Sequence, residues 1–339
     1  MRTMIRAVVL LLACTNVATV ASAQANPDWH APFPAFKIAG NLYYVGTADL
    51  AVYLIRTPQG NIVINSDFPE DVPTIRKSIE QLGFKYSDTK ILLISHAHGD
   101  HDGGIGVMKK ETGARLMVME GDVADVQSTS QGRPGAHVDR VLHDGDTVEL
   151  GGATLTAHLT PGHTKGCTTW TMRVDEGGRT LNAVIVGSPN VNPGYVLVGN
   201  TTYPAIATDY EKTFTVLKGL PVDLFLGAHG AYFGLKAKYQ ALKGGSTNPF
   251  VDPAGYAAYV AEREAAFRKE VRAWLDANAT RKSDDQRSFR ARNDDPNLLK
   301  KAKEWQAKKA AAGYARITWP KEYGGRGALS RGGSSARAR

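Results

Sequence analysis

Four side chains that could hold a metal ion lie within six residues of the sequence. They are His96, His98, Asp100 and His101, and they follow residues 91–94, an apolar run typical of a buried strand. The strand is therefore expected to deliver all four to the edge of a sheet. Imidazole and carboxylate groups suit a borderline metal such as zinc. Since several desolvated imidazoles are costly to bury together without a cation, the cluster predicts a metal site.

The spacing within this cluster favours two ions. In a loop, His96 and His98 can converge on one ion, whereas Asp100 and His101 point differently and suit a second. Neither pair is a complete ligand set, so further ligands must come from elsewhere in the chain.

Two later histidines share the local setting of the cluster. His163, in the sequence PGHT, and His229, in GAHG, each lie beside small residues at the end of an apolar run. We therefore predict that these two histidines supply the missing ligands.

The three motifs together resemble the metallo-β-lactamase superfamily. HAHGDH begins at His96, PGHT contains His163 and the late GAH ends at His229; the similarity extends over residues 36–275. The resemblance implies an α/β fold, an αββα sandwich with the metal site at one edge of the two sheets. Thioesterases of the glyoxalase II type, lactonases and RNA-processing nucleases share these motifs, so the substrate must be inferred from other positions.

One position between His163 and His229 bears on the substrate. Glyoxalase-type and lactonase-type hydrolases usually place there an aspartate that bridges both metals, and the first β-lactamase subclass places a cysteine. This chain has Ser188. Together with His101 directly after Asp100, this resembles the third β-lactamase subclass.

That resemblance implies two Zn²⁺ ions and a specific ligand set. One ion would be held by His96, His98 and His163, and the other by Asp100, His101 and His229. A metal-bound hydroxide, formed because two zinc ions lower the pKa of a shared water to about 7, would hydrolyse the β-lactam amide bond. Asp100 would also act as a catalytic residue by orienting the nucleophile, and Ser188 would contact the substrate. The expected role is resistance to β-lactam antibiotics.

Two other functions stay open at this point. The first is a different metallo-hydrolase of the same fold, a lactonase or a glyoxalase II-like thioesterase, against which the missing bridging aspartate counts. The second is a non-catalytic binding module, which the complete set of six ligands disfavours.

The first 23 residues have the features of a secretory signal. Two arginines precede the apolar residues 7–13, and Ala23 ends a small-residue site typical of cleavage. The apolar run is too short to span a membrane. We therefore expect a periplasmic domain over residues 24–278, with lipid attachment at Cys14 as the alternative.

Cysteine content and charge narrow the possible partners. Cleavage would leave Cys167 alone, which excludes an internal disulfide and predicts a packed thiol. The net charge of +8 comes from residues 279–339, where 16 Lys and Arg face 6 Asp and Glu. Residues 1–278 are nearly neutral, so we expect a monomer that binds a small β-lactam and has neither a nucleic-acid partner nor a membrane span.

The basic tail, residues 279–339, resembles in part the start of an acyl-CoA dehydrogenase. The resemblance begins just before the tail, at residues 271–275, and continues in residues 305–308 and 313–327. The flavin site and catalytic glutamate of that family would lie beyond residue 339, so no flavin chemistry is expected. A gene fusion or a truncated neighbouring frame accounts for the tail, and a basic arm for anionic surfaces is the alternative. Residues 330–339 are expected to be disordered.

Hydrophobic periodicity predicts alternating strands and helices. The predicted strands cover residues 42–45, 51–55, 62–64, 91–94, 115–119, 147–150, 153–159, 168–174, 181–186 and 222–226. The predicted helices cover residues 71–82, 105–111, 120–127, 210–217, 235–242, 252–275 and 300–312. Residues 128–136, rich in Ser, Gly and Pro, predict an exposed loop near the site.

Overall fold

Two β-sheets pack face to face with helices on their outer sides. The computed structural model describes residues 26–129, 134–278 and 298–311. The arrangement of mixed sheets and helices confirms the α/β sandwich expected from the sequence. The predicted signal, residues 1–23, and most of the predicted tail lie outside the described residues, as does the middle of the predicted loop at 128–136.

The first sheet has seven strands in chain order. They are β1 (Phe36–Ala39), β2 (Leu42–Tyr44), β3 (Tyr53–Thr57), β4 (Gly60–Ile64), β5 (Thr89–Leu93), β6 (Arg115–Met119) and β7 (Arg140–Leu142). The first four strands pair antiparallel, and β4 to β7 pair parallel. The parallel strands therefore end at the same edge of the sheet.

The second sheet has five strands in the order β12-β11-β10-β9-β8. They are β8 (Thr147–Leu150), β9 (Ala153–Leu159), β10 (Thr168–Glu176), β11 (Arg179–Val186) and β12 (Leu224–Gly227). All neighbours pair antiparallel except β11 and β12. The loop between β9 and β10 thus lies at the same end of the sheet as the carboxyl end of β12.

The helices connect the strands or follow the last of them. They are α1 (Val72–Gln81), α2 (Gly99–Asp102), α3 (Ile105–Thr112), α4 (Val123–Gln127), α5 (Ile206–Gly219), α6 (Gly230–Phe233), α7 (Leu235–Lys243), α8 (Pro253–Asn278) and α9 (Leu298–Ala311). Within the described parts of the chain, none of these helices is both long and apolar enough to cross a bilayer.

Strand alternation divides the buried side chains of the first sheet between two apolar clusters. In β4, Ile62 and Ile64 face the second sheet, whereas Val63 faces the outer cluster. Helix α1 fills that outer cluster with Ile75 and Ile79, which recur on one face at helical spacing. A period of two in the strands and of 3.6 in the helix thus meet in one packed layer.

Two hydrogen bonds join the sheets where the histidine cluster begins. The Trp170 indole Nε1 donates to the carbonyl of Ile94 at 3.0 Å, and the Thr168 amide donates to the carbonyl of Ser95 at 2.7 Å. Trp170 itself is fully buried between the sheets. The second sheet therefore fixes the backbone that leads into His96.

Some elements differ from the sequence prediction. Strands β1 and β7 were missed because they have only four and three residues and show little alternation. Helix α5 begins four residues earlier than predicted. The stretch expected as a loop after β5 is irregular only to His98, and α2 follows it. That turn of helix carries Asp100 and His101, whose ligand atoms lie within 4.8 Å of a nitrogen of His96.

Replacing Trp170 with Phe tests the bond between the sheets. Trp170→Phe removes the indole donor, leaves a void and deprives the Ile94 carbonyl of a partner, so we expect a loss of about 1–3 kcal/mol in the free energy of unfolding. Urea unfolding measures this loss. Met172→Leu, buried on the same strand, is the control and should cost less than about 1.5 kcal/mol. Equal stability of the Trp170 variant and wild type would show that the bond does not hold the sheets together.

Candidate metal centre

Three loops at one edge of the sandwich bring the six predicted ligands together. The first loop and α2 follow β5 and carry four of them. The second loop joins β9 to β10 and carries His163, and the third begins directly after β12 with His229. Each loop follows the end of a strand of the sandwich, so the strands fix the backbone positions from which the ligand side chains extend.

The first group consists of His96, His98 and His163. One ligand nitrogen from each lies within 4.8 Å of the other two. His96 and His163 are buried, and His98 is half-buried. The buried Nε2 of His96 has no hydrogen-bond partner in the structure. Since buried polar atoms are nearly always paired, this nitrogen is expected to face a cation.

The second group consists of Asp100, His101 and His229. The Asp100 Oδ2 lies 3.3 Å from His101 Nε2 and 3.5 Å from His229 Nε2, and the two nitrogens are 3.1 Å apart. Ligand bonds of about 2.0–2.2 Å in a tetrahedron place neighbouring ligand atoms roughly 3.3–3.6 Å apart. The spacing of this group therefore fits a tetrahedral ion. Asp100 and His101 also have ligand atoms within 4.8 Å of a nitrogen of His96, so the two sites lie next to each other.

The protonation states of these groups fit metal binding. Burial and the neighbouring imidazoles hold the pKa of His96 well below its usual range, and burial with His98 nearby lowers the pKa of His163 to about 3. Both rings are thus neutral at pH 7 and keep a lone pair for a metal. Burial raises the pKa of Asp100, but electrostatic attraction by the neighbouring imidazoles and a hydrogen bond with His101 outweigh it, lower the pKa and keep this carboxyl ionised.

Hydrogen bonds on the far side of two rings fix which nitrogen faces the site. His163 donates from Nδ1 to the carbonyl of Asn190 at 2.9 Å, and His229 donates from Nδ1 to Asp49 Oδ2 at 3.1 Å. Asp49 also accepts from the Trp29 indole and the Ala231 amide, at 3.2 and 2.8 Å. Each histidine is therefore held with its Nε2 lone pair toward the candidate metal.

Asp122 joins the first histidine loop to the second. Its Oδ2 accepts from the Ala97 amide at 2.9 Å and the Thr164 hydroxyl at 2.7 Å, and its Oδ1 accepts from the Gly166 amide at 2.6 Å. Burial raises the pKa of Asp122 to about 6, so the carboxylate is still ionised at neutral pH. One buried side chain thus sets the distance between His96 and His163.

A turn after β4 supports the segment that carries the first four candidate ligands, residues 95–101. Asn65 and Asp67 have positive φ angles of 70° and 51°, which non-glycine residues rarely adopt. The Asn65 carboxamide oxygen accepts from the Ser95 amide at 2.7 Å, and the Ser66 amide donates to the carbonyl of His101 at 2.9 Å. These bonds fix both ends of the segment that carries the first four ligands.

A cavity of about 1020 Å³ opens onto the two groups. The described side chains that line it are Asn26, Trp29, Asp49, Phe68, Pro69, Glu70, His98, Asp100, His163, Asn190, Asn192, Pro193, Tyr195, His229, Ala231 and Tyr232, with Gly99 and Gly103. Tyr195 donates from its hydroxyl to the carbonyl of His163 at 2.9 Å and lies 3.4 Å from His98 Nε2. The cavity is large enough for a drug-sized molecule.

Ser188, the predicted substrate contact, lies behind the cavity wall. It is 1% exposed, and its hydroxyl is 3.2 Å from the hydroxyl of Tyr232, which does line the cavity. A direct contact between Ser188 and the substrate stays a prediction. In this conformation Tyr232 lies between Ser188 and the cavity. Cys167 is buried, with its Sγ 3.6 Å from the carbonyl of Ser188, as expected for a packed thiol.

Sequence reasoning missed the residues that hold the ligands in place. Asp49 and Asp122 contact ligand loops that are far away in the sequence, and no motif surrounds either of them. Trp29 lies in the segment before β1, for which no role was predicted. Tyr195 lies between β11 and α5, and no role was predicted for it.

Comparison with known proteins identifies the family. The family model described as metallo-β-lactamase superfamily matches residues 50–229. The native metallo-β-lactamase of Legionella gormanii is 54% identical, with a TM-score of 0.71 over 72% of this chain and 97% of that one. A subclass B3 metallo-β-lactamase of Bradyrhizobium japonicum is 38% identical, with a TM-score of 0.70 over 74% and 98%. The chain belongs to the metallo-β-lactamase superfamily.

Curated relatives carry a different activity in their names. A hydroxyacylglutathione hydrolase of Rhodopseudomonas palustris strain HaA2 is 28% identical over 187 residues, 55% of this chain and 64% of the relative. Another, from strain BisB5, is 33% identical over 112 residues, 33% of this chain and 39% of the relative. The chain thus spans less than two thirds of the length of these relatives. Both comparisons support a metal-binding hydrolase.

Replacing Asp122 with Asn tests whether this residue sets the distance between the loops. The amide group has one acceptor oxygen and a donor that faces other donors, so at least one of the three hydrogen bonds is lost. We expect a loss of about 1–3 kcal/mol in stability and weaker zinc binding. Urea unfolding and competition with a chromophoric chelator measure the two effects.

The matched control is Asp125→Asn, which makes the same change at an exposed position of α4. It should leave both quantities unchanged. Normal zinc affinity in the Asp122 variant would remove this residue from the support of the metal centre.

Proposed function

We propose that this protein is a dizinc β-lactamase of the third subclass, which hydrolyses the amide bond of β-lactam antibiotics. The observation that carries the proposal is the group formed by Asp100, His101 and His229, whose ligand atoms lie 3.1–3.5 Å apart beside a group of three histidines. Its support from relatives is the 54% identity to a metallo-β-lactamase that this chain covers almost completely.

The residues divide into two ligand sets. One zinc ion would be held by His96, His98 and His163, and the other by Asp100, His101 and His229. When bound, zinc supplies a Lewis acid for a carbonyl oxygen and lowers the pKa of water toward 7.

The side chains of the cavity complete the reaction site. Asp100 is ionised and lines the cavity, so it can accept a hydrogen bond from an attacking water and orient it toward the lactam carbonyl. Trp29, Phe68 and Tyr195 offer aromatic surface that holds the apolar parts of the antibiotic and excludes bulk water. Asp49 and Asp122 are positioning residues, since they act through the histidine loops.

The second candidate is a thioesterase of the hydroxyacylglutathione hydrolase type, favoured by the names of the curated relatives. Ser188 counts against it. Its position follows β11, where such hydrolases usually carry an aspartate, and its buried hydroxyl bonds Tyr232 and lacks the negative charge that bridges two cations.

Export and resistance extend the proposal. We propose that residues 1–23 direct secretion to the periplasm, with lipid attachment at Cys14 as the alternative, and that the mature domain, residues 24–278, acts there as a monomer. Hydrolysis in that compartment would protect the cell from β-lactams. Residues 279–339 take no part in the reaction.

A comparison of two substrate classes tests the proposed function. We expect the zinc-loaded protein to hydrolyse nitrocefin and a carbapenem, to lose this activity with a chelator and to regain it with added zinc. Hydrolysis of S-lactoylglutathione should be much slower. Rapid thioester cleavage without lactam cleavage would establish the second candidate, and inactivity of the zinc-loaded protein on both classes would overturn both.

Removing the Asp100 carboxylate tests its double role. Asp100→Ala should lower kcat by about 100-fold or more and reduce zinc content at the same time, because one group serves both purposes. Steady-state kinetics and elemental analysis measure these changes. Ser188→Ala is the comparison and should raise KM with zinc content unchanged. Full activity with full zinc in the Asp100 variant would exclude this residue from the mechanism.

A further inference from the structure

An aromatic surface leads from the candidate metal centre to the mouth of the cavity. The ring centroids of His229 and Trp29 are 6.0 Å apart, and those of Trp29 and Phe68 are 6.1 Å apart. Two residues after Phe68, Glu70 lines the same cavity and is exposed to solvent. A substrate bound at the metal centre would therefore extend along two aromatic rings toward a carboxylate.

The charged side chains described in the lining of this cavity, apart from the histidines, are all acidic. Its described lining includes three carboxylates, Asp49, Asp100 and Glu70, but neither Lys nor Arg. Asp49 and Asp100 are engaged by histidines of the candidate metal centre. Among the described residues, Glu70 has neither an ion pair nor a side-chain hydrogen bond, so its charge is free to meet a ligand.

The other acidic residues near the mouth already have partners. Asp28 pairs with Lys236 at 2.6 Å, and Asp71 pairs with His30 at 3.0 Å. Among the residues that the structure describes, Glu70 is therefore a carboxylate of this cavity with no cationic partner. A carboxylate that lines the same cavity as aromatic rings is an arrangement that attracts an organic ammonium group.

We propose that Glu70, with Trp29 and Phe68, forms a subsite for β-lactams that carry a protonated amine on the acyl side chain. This inference rests on the proposed β-lactamase function and names the substrate class that the site prefers. The same carboxylate disfavours β-lactams with an extra carboxylate at that position. Glu70 is thus a specificity-determining residue that leaves the bond cleavage itself unchanged.

The expected effect is modest, because Glu70 is exposed. Coulomb attraction at a solvated site changes a rate or binding constant by about two- to five-fold. It should weaken between about 0.05 M and about 0.5 M salt, where the screening length falls below the distances involved.

Three penicillins that differ at one substituent test the subsite. They are benzylpenicillin, its α-amino derivative ampicillin and its α-carboxy derivative carbenicillin. The measured quantity is kcat/KM for each derivative divided by that of benzylpenicillin, in the zinc-loaded wild type and in Glu70→Gln. Dividing by benzylpenicillin cancels general effects of the substitution on activity. Glu80→Gln removes the same charge from an exposed position of α1 outside the cavity and serves as the control.

In Glu70→Gln we expect the ampicillin ratio to fall about two- to five-fold and the carbenicillin ratio to rise by a similar factor. Both shifts should shrink at high salt, and Glu80→Gln should match wild type. Unchanged ratios in an enzyme that hydrolyses all three penicillins would overturn the subsite and leave the β-lactamase proposal standing. Failure to hydrolyse any of them, by contrast, would count against the proposed function itself.

Discussion

The structure depends on bringing the ring nitrogens of several histidines together at one edge of the sandwich. The Nε2 atoms of His101 and His229 lie 3.1 Å apart, and the buried Nε2 of His96 has no partner. Imidazole groups crowded together in this way lose most of their hydrogen bonds to water, which is unfavourable in a desolvated site. A cation reverses this balance, because the same lone pairs become its ligands. The site is therefore explained by metal binding and would be destabilising without it.

Rigid elements impose this geometry on the ligands. Three loops leave the ends of buried strands, and Trp170 and Thr168 attach the second sheet to the start of the first loop. Asp122 then joins two of the loops, and Asp49 orients His229. Asp49 and Asp122 are buried carboxylates that each accept three hydrogen bonds, the kind of group that holds a ligand within a few tenths of an ångström.

Most ligands of this metal centre can be recognised in the sequence, because they stand in short motifs. Four of the six candidate ligands fall in one short motif, and the two others stand beside small residues after apolar runs, so spacing and ligand chemistry are enough to find them. Asp49 and Asp122 could not be found in this way, because their partners lie 20 to 182 residues away and only the fold brings them together. Strands β1 and β7 were missed for a similar reason: short strands gain their stability from neighbours in the sheet.

The central claim is that six side chains from three loops hold two zinc ions. Diffraction from zinc-loaded crystals, measured on both sides of the zinc absorption edge, tests it directly. The account predicts two anomalous peaks, one among His96, His98 and His163 and the other among Asp100, His101 and His229. A single peak at full zinc loading, or peaks outside these two groups, would contradict it.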